Sequence, residues 1–229
     1  MTNRPVALVT GATRGIGRAI AVELSSTHRI LVGGRDAARA GELVAELDDA
    51  APFVCDLADE DAVVAACAGI GRLDVLVHSA GIGRSNDIGL ASRALWREVF
   101  ETNVFAVADL TRLLLPALEA ARGIVVAINS GAGFFSSPGG GVYAGSKFAL
   151  RALTDALREE MRGKVRVCSV HPGRTDTDMQ RELQAAMGNE HYNGSCYVSP
   201  GSVAAAVRLA VDTPDNATVE QLSIRPSVF

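Results

Sequence analysis

Seven short apolar runs punctuate this chain, at residues 6–10, 29–33, 52–55, 73–78, 123–130, 165–171 and 219–225. They are continuous runs more than strict alternations, the pattern of parallel strands covered on both faces. Between them lie longer segments with helical periodicity, at 15–26, 36–47, 59–68, 90–121, 141–162 and 202–211. This alternation predicts an α/β fold: a doubly wound, mostly parallel seven-stranded sheet with helices on both faces. Two segments depart from tight spacing. Segment 90–121 is long for one helix, and Pro116 predicts a bend or a restart in its last turns. Segment 174–200 offers no convincing strand but carries Met179, Met187, His191, Tyr192 and Tyr197. An insertion of that length after a strand predicts a substrate lid, with a plain surface excursion as the alternative. No repeat or linker interrupts the pattern, so residues 1–229 read as a single domain.

Composition narrows the function classes. Hydrophobic residues make up 48% of the 229 and charged residues 21%, the balance of a soluble globular protein. Net charge is −4 with no basic run, so no nucleic-acid partner is expected. No apolar stretch approaches the roughly 18 residues that span a bilayer, and no secretory leader is visible. A cytoplasmic address without a membrane partner is the expectation. Cys55, Cys67, Cys168 and Cys196 are widely spaced, which predicts reduced, mostly buried thiols. No His/Cys/Asp group has metal-ligand spacing, so no metal is expected.

The first strand runs into Thr10-Gly11-Ala12-Thr13-Arg14-Gly15-Ile16-Gly17, which opens a helix. Gly11 and Gly15 permit the turn, Gly17 continues the small-residue pattern, and the helix N-terminus favours a pyrophosphate. No Lys-Ser/Thr pair follows, so this is not a Walker loop. In an α/β pattern the loop predicts a dinucleotide site. The second strand ends in Gly33-Gly34-Arg35-Asp36. Arg35, aided by Arg14, suits an adenosine 2′-phosphate, and Asp36 reads better as a helix N-cap than as a ribose ligand. NADP(H) is therefore the preferred cofactor, with NAD(H) possible.

Reactive chemistry concentrates around Tyr143 in Tyr143-Ala-Gly-Ser-Lys147. A free tyrosine has a pKa of about 10, too high for easy proton transfer at neutrality. Lys147, one helical turn on, shares its face and is expected to favour the phenolate. Ser130, thirteen residues upstream, and Asn103 complete the expected catalytic set.

These motifs, in this order, resemble the short-chain dehydrogenase/reductase family, in its single-domain Rossmann-fold branch. The likeness runs through the Thr10–Gly17 loop, Asp56, His78-Ser79-Ala80-Gly81, Asn103, Ser130, Tyr143/Lys147 and Pro172-Gly173-Arg174-Thr175-Asp176-Thr177. It implies an NAD(P)-dependent oxidoreductase that interconverts a small-molecule carbonyl and an alcohol, with hydride transfer from the pro-S face. Gly11, Gly15, Ile16 and Gly17 belong to the cofactor loop; by the same resemblance Asp56 and Leu57 meet adenine, and Ser79, Ala80 and Gly81 flank its ribose. Tyr143 and Lys147 also border the cofactor, Lys147 through the nicotinamide ribose. Pro172, Gly173, Thr175 and Thr177 face the carboxamide. Ser130 would hydrogen-bond the substrate carbonyl, Tyr143 would deliver the proton, and Asn103 would link Lys147 to solvent through a water.

The chain departs from the family at His78-Ser79, where Asn-Asn is usual, and at Thr175, where an apolar residue is usual. The stretch Ser223-Ile224-Arg225-Pro226 also lacks a frequent Gly-Gly pair that helps build one tetramer interface. A homodimer or homotetramer, paired through the helices of segments 90–121 and 141–162, is the expected assembly. A dinucleotide-binding regulatory protein without turnover is the alternative reading.

Overall fold

The apolar runs fold into seven strands: β1 (Val6–Val9), β2 (Arg29–Gly34), β3 (Ala50–Val54), β4 (Val75–His78), β5 (Ile124–Ile128), β6 (Arg166–Pro172) and β7 (Gln221–Ile224). They form one sheet of order β3-β2-β1-β4-β5-β6-β7 in a computed structural model that describes residues 4–186, 188–189 and 191–227. Every adjacent pair is parallel, with Val9 opposite both Val32 and Val77. Pro52, which cannot donate to a ladder, lies in the edge strand β3.

Parallel strands need crossovers, and among the described residues eight α-helices accompany them. These are α1 (Gly15–Ser25), α2 (Ala37–Glu46), α3 (Glu60–Cys67), α4 (Arg93–Phe100), α5 (Ala106–Ala121), α6 (Gly141–Glu160), α7 (Asp178–Ala186) and α8 (Pro200–Asp212). Pleating divides each continuous run between two cores. Ala7, Val9, Val75, Val77, Val126 and Val170 join Ile20 and Leu24 of α1 and Val203 and Val207 of α8 on one face. Leu8, Leu76, Val125 and Val167 join Leu110, Leu114 and Leu118 of α5 and Leu157 of α6 on the other. The central strands are thus covered on both faces as expected, while the edge strands β3 and β7 stay partly exposed.

Segment 90–121 is not one helix. A short 3₁₀ turn at Ile88–Leu90 precedes α4, and a π turn at Glu101–Phe105 separates α4 from α5. Pro116, expected to interrupt the helix, lies inside α5, which continues to Ala121. Segment 174–200 contains a helix the periodicity did not predict, α7, and a parallel bridge between Thr175 and Val198. Met187 lies outside the described residues. Cys55 and Cys168 are buried, Cys67 is half-buried and Cys196 is exposed, all as free thiols. Among the described residues, no helix is long and apolar enough to cross a membrane.

Candidate active site

The strand order reverses between β1 and β4, and a cleft opens beyond the C-terminal strand ends at that switch point. Thr10 ties the two lips together. Its Oγ1 donates to Val77 O at 3.3 Å and accepts from the N–H groups of Ser79 at 3.0 Å and Ala80 at 3.1 Å. Here His78 and Ser79 replace the family's usual amides. His78 turns inward, 3% exposed, and its Nε2 hydrogen-bonds Thr111 Oγ1 at 2.8 Å.

The glycine loop packs too tightly for side chains. A Cβ on Gly17 would lie 2.2 Å from Gly11 O, and one on Gly11 would lie 2.8 Å from Ala80 Cα. Gly11 and Gly15 also adopt φ of 62° and 56°. The first turn of α1 has no side-chain cap and no acidic residue, whereas α2 and α3 are capped by Asp36 and Asp59. Free N–H groups and a bare helix dipole beside a glycine cradle suit a pyrophosphate, so these residues fit a dinucleotide. Asp36 accepts from Ala38 N at 3.0 Å and Arg39 N at 3.2 Å, which commits it to the cap.

Of the expected cofactor residues, Gly11, Arg14, Gly15, Ile16, Gly17, Arg35, Asp56, Leu57, Ser79, Ala80, Gly81 and Thr177 line the cleft. Arg35 is exposed at its rim. Arg14 reaches across to Glu182 of α7 at 3.7 Å. Thr175 departs from expectation: it is buried and its hydroxyl donates to Gly173 O at 3.1 Å, so that hydroxyl is not offered to a ligand. A Cβ on Gly173 would meet Pro226 Cδ at 3.1 Å, and neither Gly173 nor Pro172 borders the cleft. Thr13, Ile82, Thr102 and Met179 also line it. Thr13 was discoverable as a hydroxyl inside the glycine loop, and Met179 as an apolar side chain of segment 174–200; Ile82 and Thr102 come from segments with no local signal.

Beyond the cleft, three elements bring the tyrosine set together. Tyr143 and Lys147 share a face of α6, Ser130 follows β5, and Asn103 sits in the π turn. The Ser130 hydroxyl faces the Tyr143 phenol and acts to lower its pKa. Lys147 is 5% exposed; its Nζ donates to Ile128 O at 3.0 Å and stands 5.7 Å from the Tyr143 ring centroid. Burial lowers the Lys147 ammonium to about 8.

Burial pushes the Tyr143 phenol above its ordinary value, with the Ser130 hydroxyl opposing. The expected lowering by Lys147 is therefore not met: the ammonium points at a backbone carbonyl, and desolvation outweighs it. Asn103 is held by three direct hydrogen bonds. Its Nδ2 donates to Ile82 O and Ser146 Oγ, both at 3.0 Å, and its Oδ1 accepts from Ile82 N at 2.9 Å. It holds the loop after β4 against α6.

Aromatic side chains around these elements pack on their neighbours. Phe134 packs on His171 with centroids 4.3 Å apart, under the Arg151 guanidinium at 4.6 Å. Tyr192 stacks on Tyr197 and donates to Asp176 Oδ1 at 2.8 Å. Trp96 lies against Gly145 of α6, where a Cβ would stand 3.3 Å from its ring.

His78 supplies a pH prediction. Burial lowers its pKa from 6.5 to about 4. Between those values the unfolded chain holds a proton that the native chain does not, so stability falls as pH drops from about 6.5 to 4. That decline should reach roughly 2–4 kcal/mol. Urea midpoints measured across the window should decline less steeply for His78→Asn; an unchanged slope contradicts the assignment.

Comparison with known proteins gives a consistent picture. A family model described as short chain dehydrogenase matches residues 5–188. An uncharacterised short-chain type dehydrogenase/reductase of Sinorhizobium fredii is 34% identical over 237 residues, covering 99% of this chain and 93% of its own. The serine 3-dehydrogenase of Agrobacterium fabrum is 32% identical over 233 residues, covering 96% and 92%. The solved alcohol dehydrogenase of the archaeon Thermococcus sibiricus, complexed with 5-hydroxy-NADP, superposes with a TM-score of 0.89 at 27% identity, covering 98% and 97%.

Proposed function

The chain belongs to the short-chain dehydrogenase/reductase family and is an NAD(P)-dependent oxidoreductase; from that premise we propose that it is an NADP(H)-dependent enzyme interconverting a small carbonyl compound and its alcohol. The observation that carries this reading is the meeting of Ser130, Tyr143 and Lys147 beside a glycine-cradled cleft with Arg35 at its rim. A bound nicotinamide dinucleotide supplies or accepts the hydride. Gly11, Gly15, Ile16 and Gly17 hold its pyrophosphate, Arg35 and Arg14 its 2′-phosphate, and Asp56, Leu57 and Ser79–Gly81 its adenosine end.

The protein's own groups manage the oxygen and the proton. Ser130 Oγ accepts from Ala132 N at 3.1 Å, so its O–H, which faces Tyr143, is the group that donates to a substrate carbonyl oxygen. Tyr143 carries the proton for that oxygen. Lys147, fixed on Ile128 O, keeps a positive charge beside the ring. Asn103 braces the wall that joins the β4 loop to α6. Segment 174–200 covers the substrate, with Met179 placed against Gly83. The exposed Phe105 and Phe148 support pairing of copies through the α4–α5 and α6 helices.

Turnover of an aldehyde and ketone panel with NADPH and NADH in parallel tests the reading; no reduction of any member with either cofactor contradicts it. Arg35→Asp tests the nucleotide preference. Losing a charge-assisted phosphate contact should lower kcat/KM with NADPH by about 10- to 100-fold and spare NADH. Equal losses with both cofactors would remove Arg35 from the 2′-phosphate site.

A further inference from the structure

Ser130 is held at both ends of its backbone. Its N–H donates to Asn129 Oδ1 at 2.9 Å, and its carbonyl faces His171 Nδ1 at 3.1 Å. A carbonyl only accepts, so Nδ1 carries the hydrogen and a neutral ring holds its lone pair on Nε2. Nε2 is buried with no partner among the described residues, so the bond to Ser130 is the ring's single hydrogen bond there. The ring is 0% exposed and packs on Phe134. The backbone of His171 is secured as well, because Arg225 donates to its carbonyl at 2.7 Å. Asn129 is 4% exposed, and a Cβ on Gly133 would stand 2.8 Å from its Oδ1, which confines the amide.

We infer that His171, with Asn129, is a positioning residue that locks the Ser130 peptide and so aims the Ser130 hydroxyl at the reacting oxygen. The inference rests on the catalytic reading of Ser130. A hydroxyl that turned with a loosened peptide would lose its alignment with Tyr143, and misplacement of that order is costly to rate. Burial keeps His171 neutral by lowering its pKa; Arg151 and Arg225 act in the same direction, while the bond to Ser130 and Asp155 oppose. An imidazole that stays neutral keeps one tautomer across the working pH range.

Three measurements test this. His171→Leu should lower kcat about 10- to 100-fold, with KM and the Kd for NADPH within about twofold of wild type, and His171→Asn, whose Nδ2 can replace Nδ1, should recover most of the loss. In a Ser130→Ala background, His171→Leu should cost nothing further; a full additive loss overturns the inference. Nitrogen-15 NMR of the wild-type protein should show the Nδ1–H tautomer for His171. The Nε2–H tautomer overturns the inference even if His171→Leu does not fold. Wild-type turnover in Ser130→Ala alone would instead contradict the catalytic reading, while the tautomer still reports on the contact.

Discussion

Replacing Tyr143 with Phe should abolish turnover while leaving dinucleotide binding nearly intact. The ring stays, with Lys147 Nζ still 5.7 Å from its centroid and still bonded to Ile128 O. What disappears is the hydroxyl that faces Ser130. If that hydroxyl carries the proton, kcat falls by at least the 10²- to 10⁴-fold typical of a lost general acid. The cleft proposed for the nucleotide is lined by other residues, so a fluorescence titration with NADPH should give a Kd close to wild type. Wild-type kcat in Tyr143→Phe would remove Tyr143 from the mechanism. A large loss of affinity would assign it to binding instead.

Gly17→Ala should be the most damaging single-carbon change in the chain. The added Cβ would fall 2.2 Å from Gly11 O and 2.7 Å from Gly11 C. Gly11 cannot retreat, because its own Cβ position lies 2.8 Å from Ala80 Cα across the sheet and its φ is 62°. The clash therefore has to distort either the loop or the start of α1. About 3 kcal/mol of lost stability is expected, the upper range for overpacking. Binding of NADPH should fail with it, because the same backbone forms the cradle. Gly41→Ala in α2 is the control: nothing lies within 4 Å of its Cβ, and helix propensity favours alanine. A Gly17→Ala protein that melts and binds as wild type would refute the close-packed loop.

The strands were readable because the apolar runs are long enough to feed two cores at once. Leu8 and Leu76 on one face, and Ala7, Val9, Val75 and Val77 on the other, come from unbroken stretches that only a covered parallel strand needs. The Thr10–Gly17 loop and Tyr143/Lys147 were readable because their partners are local in sequence. Asp36 was correctly placed as a cap for the same reason. Helix α7 was not readable: Asp178–Ala186 is short and mostly polar, so Met179 and Leu183, one turn apart, gave too little periodic signal. Nor was the orientation of Lys147, since the carbonyl it meets belongs to a strand nineteen residues away. Phe134 could not be assigned either, because its neighbours His171 and Arg151 are brought to it by β6 and α6.

The π turn at Glu101–Phe105 has an evolutionary consequence. A π turn is one residue longer than the α-helical turn it replaces, so it is a tolerated insertion that has become part of the architecture. Deleting one residue there would close the bulge to a regular turn and withdraw the side chain that the bulge presents. Asn103 would then lose its place against Ile82 and Ser146. Substitutions along α4 and α5 can accumulate singly, whereas a change in length cannot. Lineages carrying this fold should therefore drift freely in the chemistry of that helix while its residue count stays frozen.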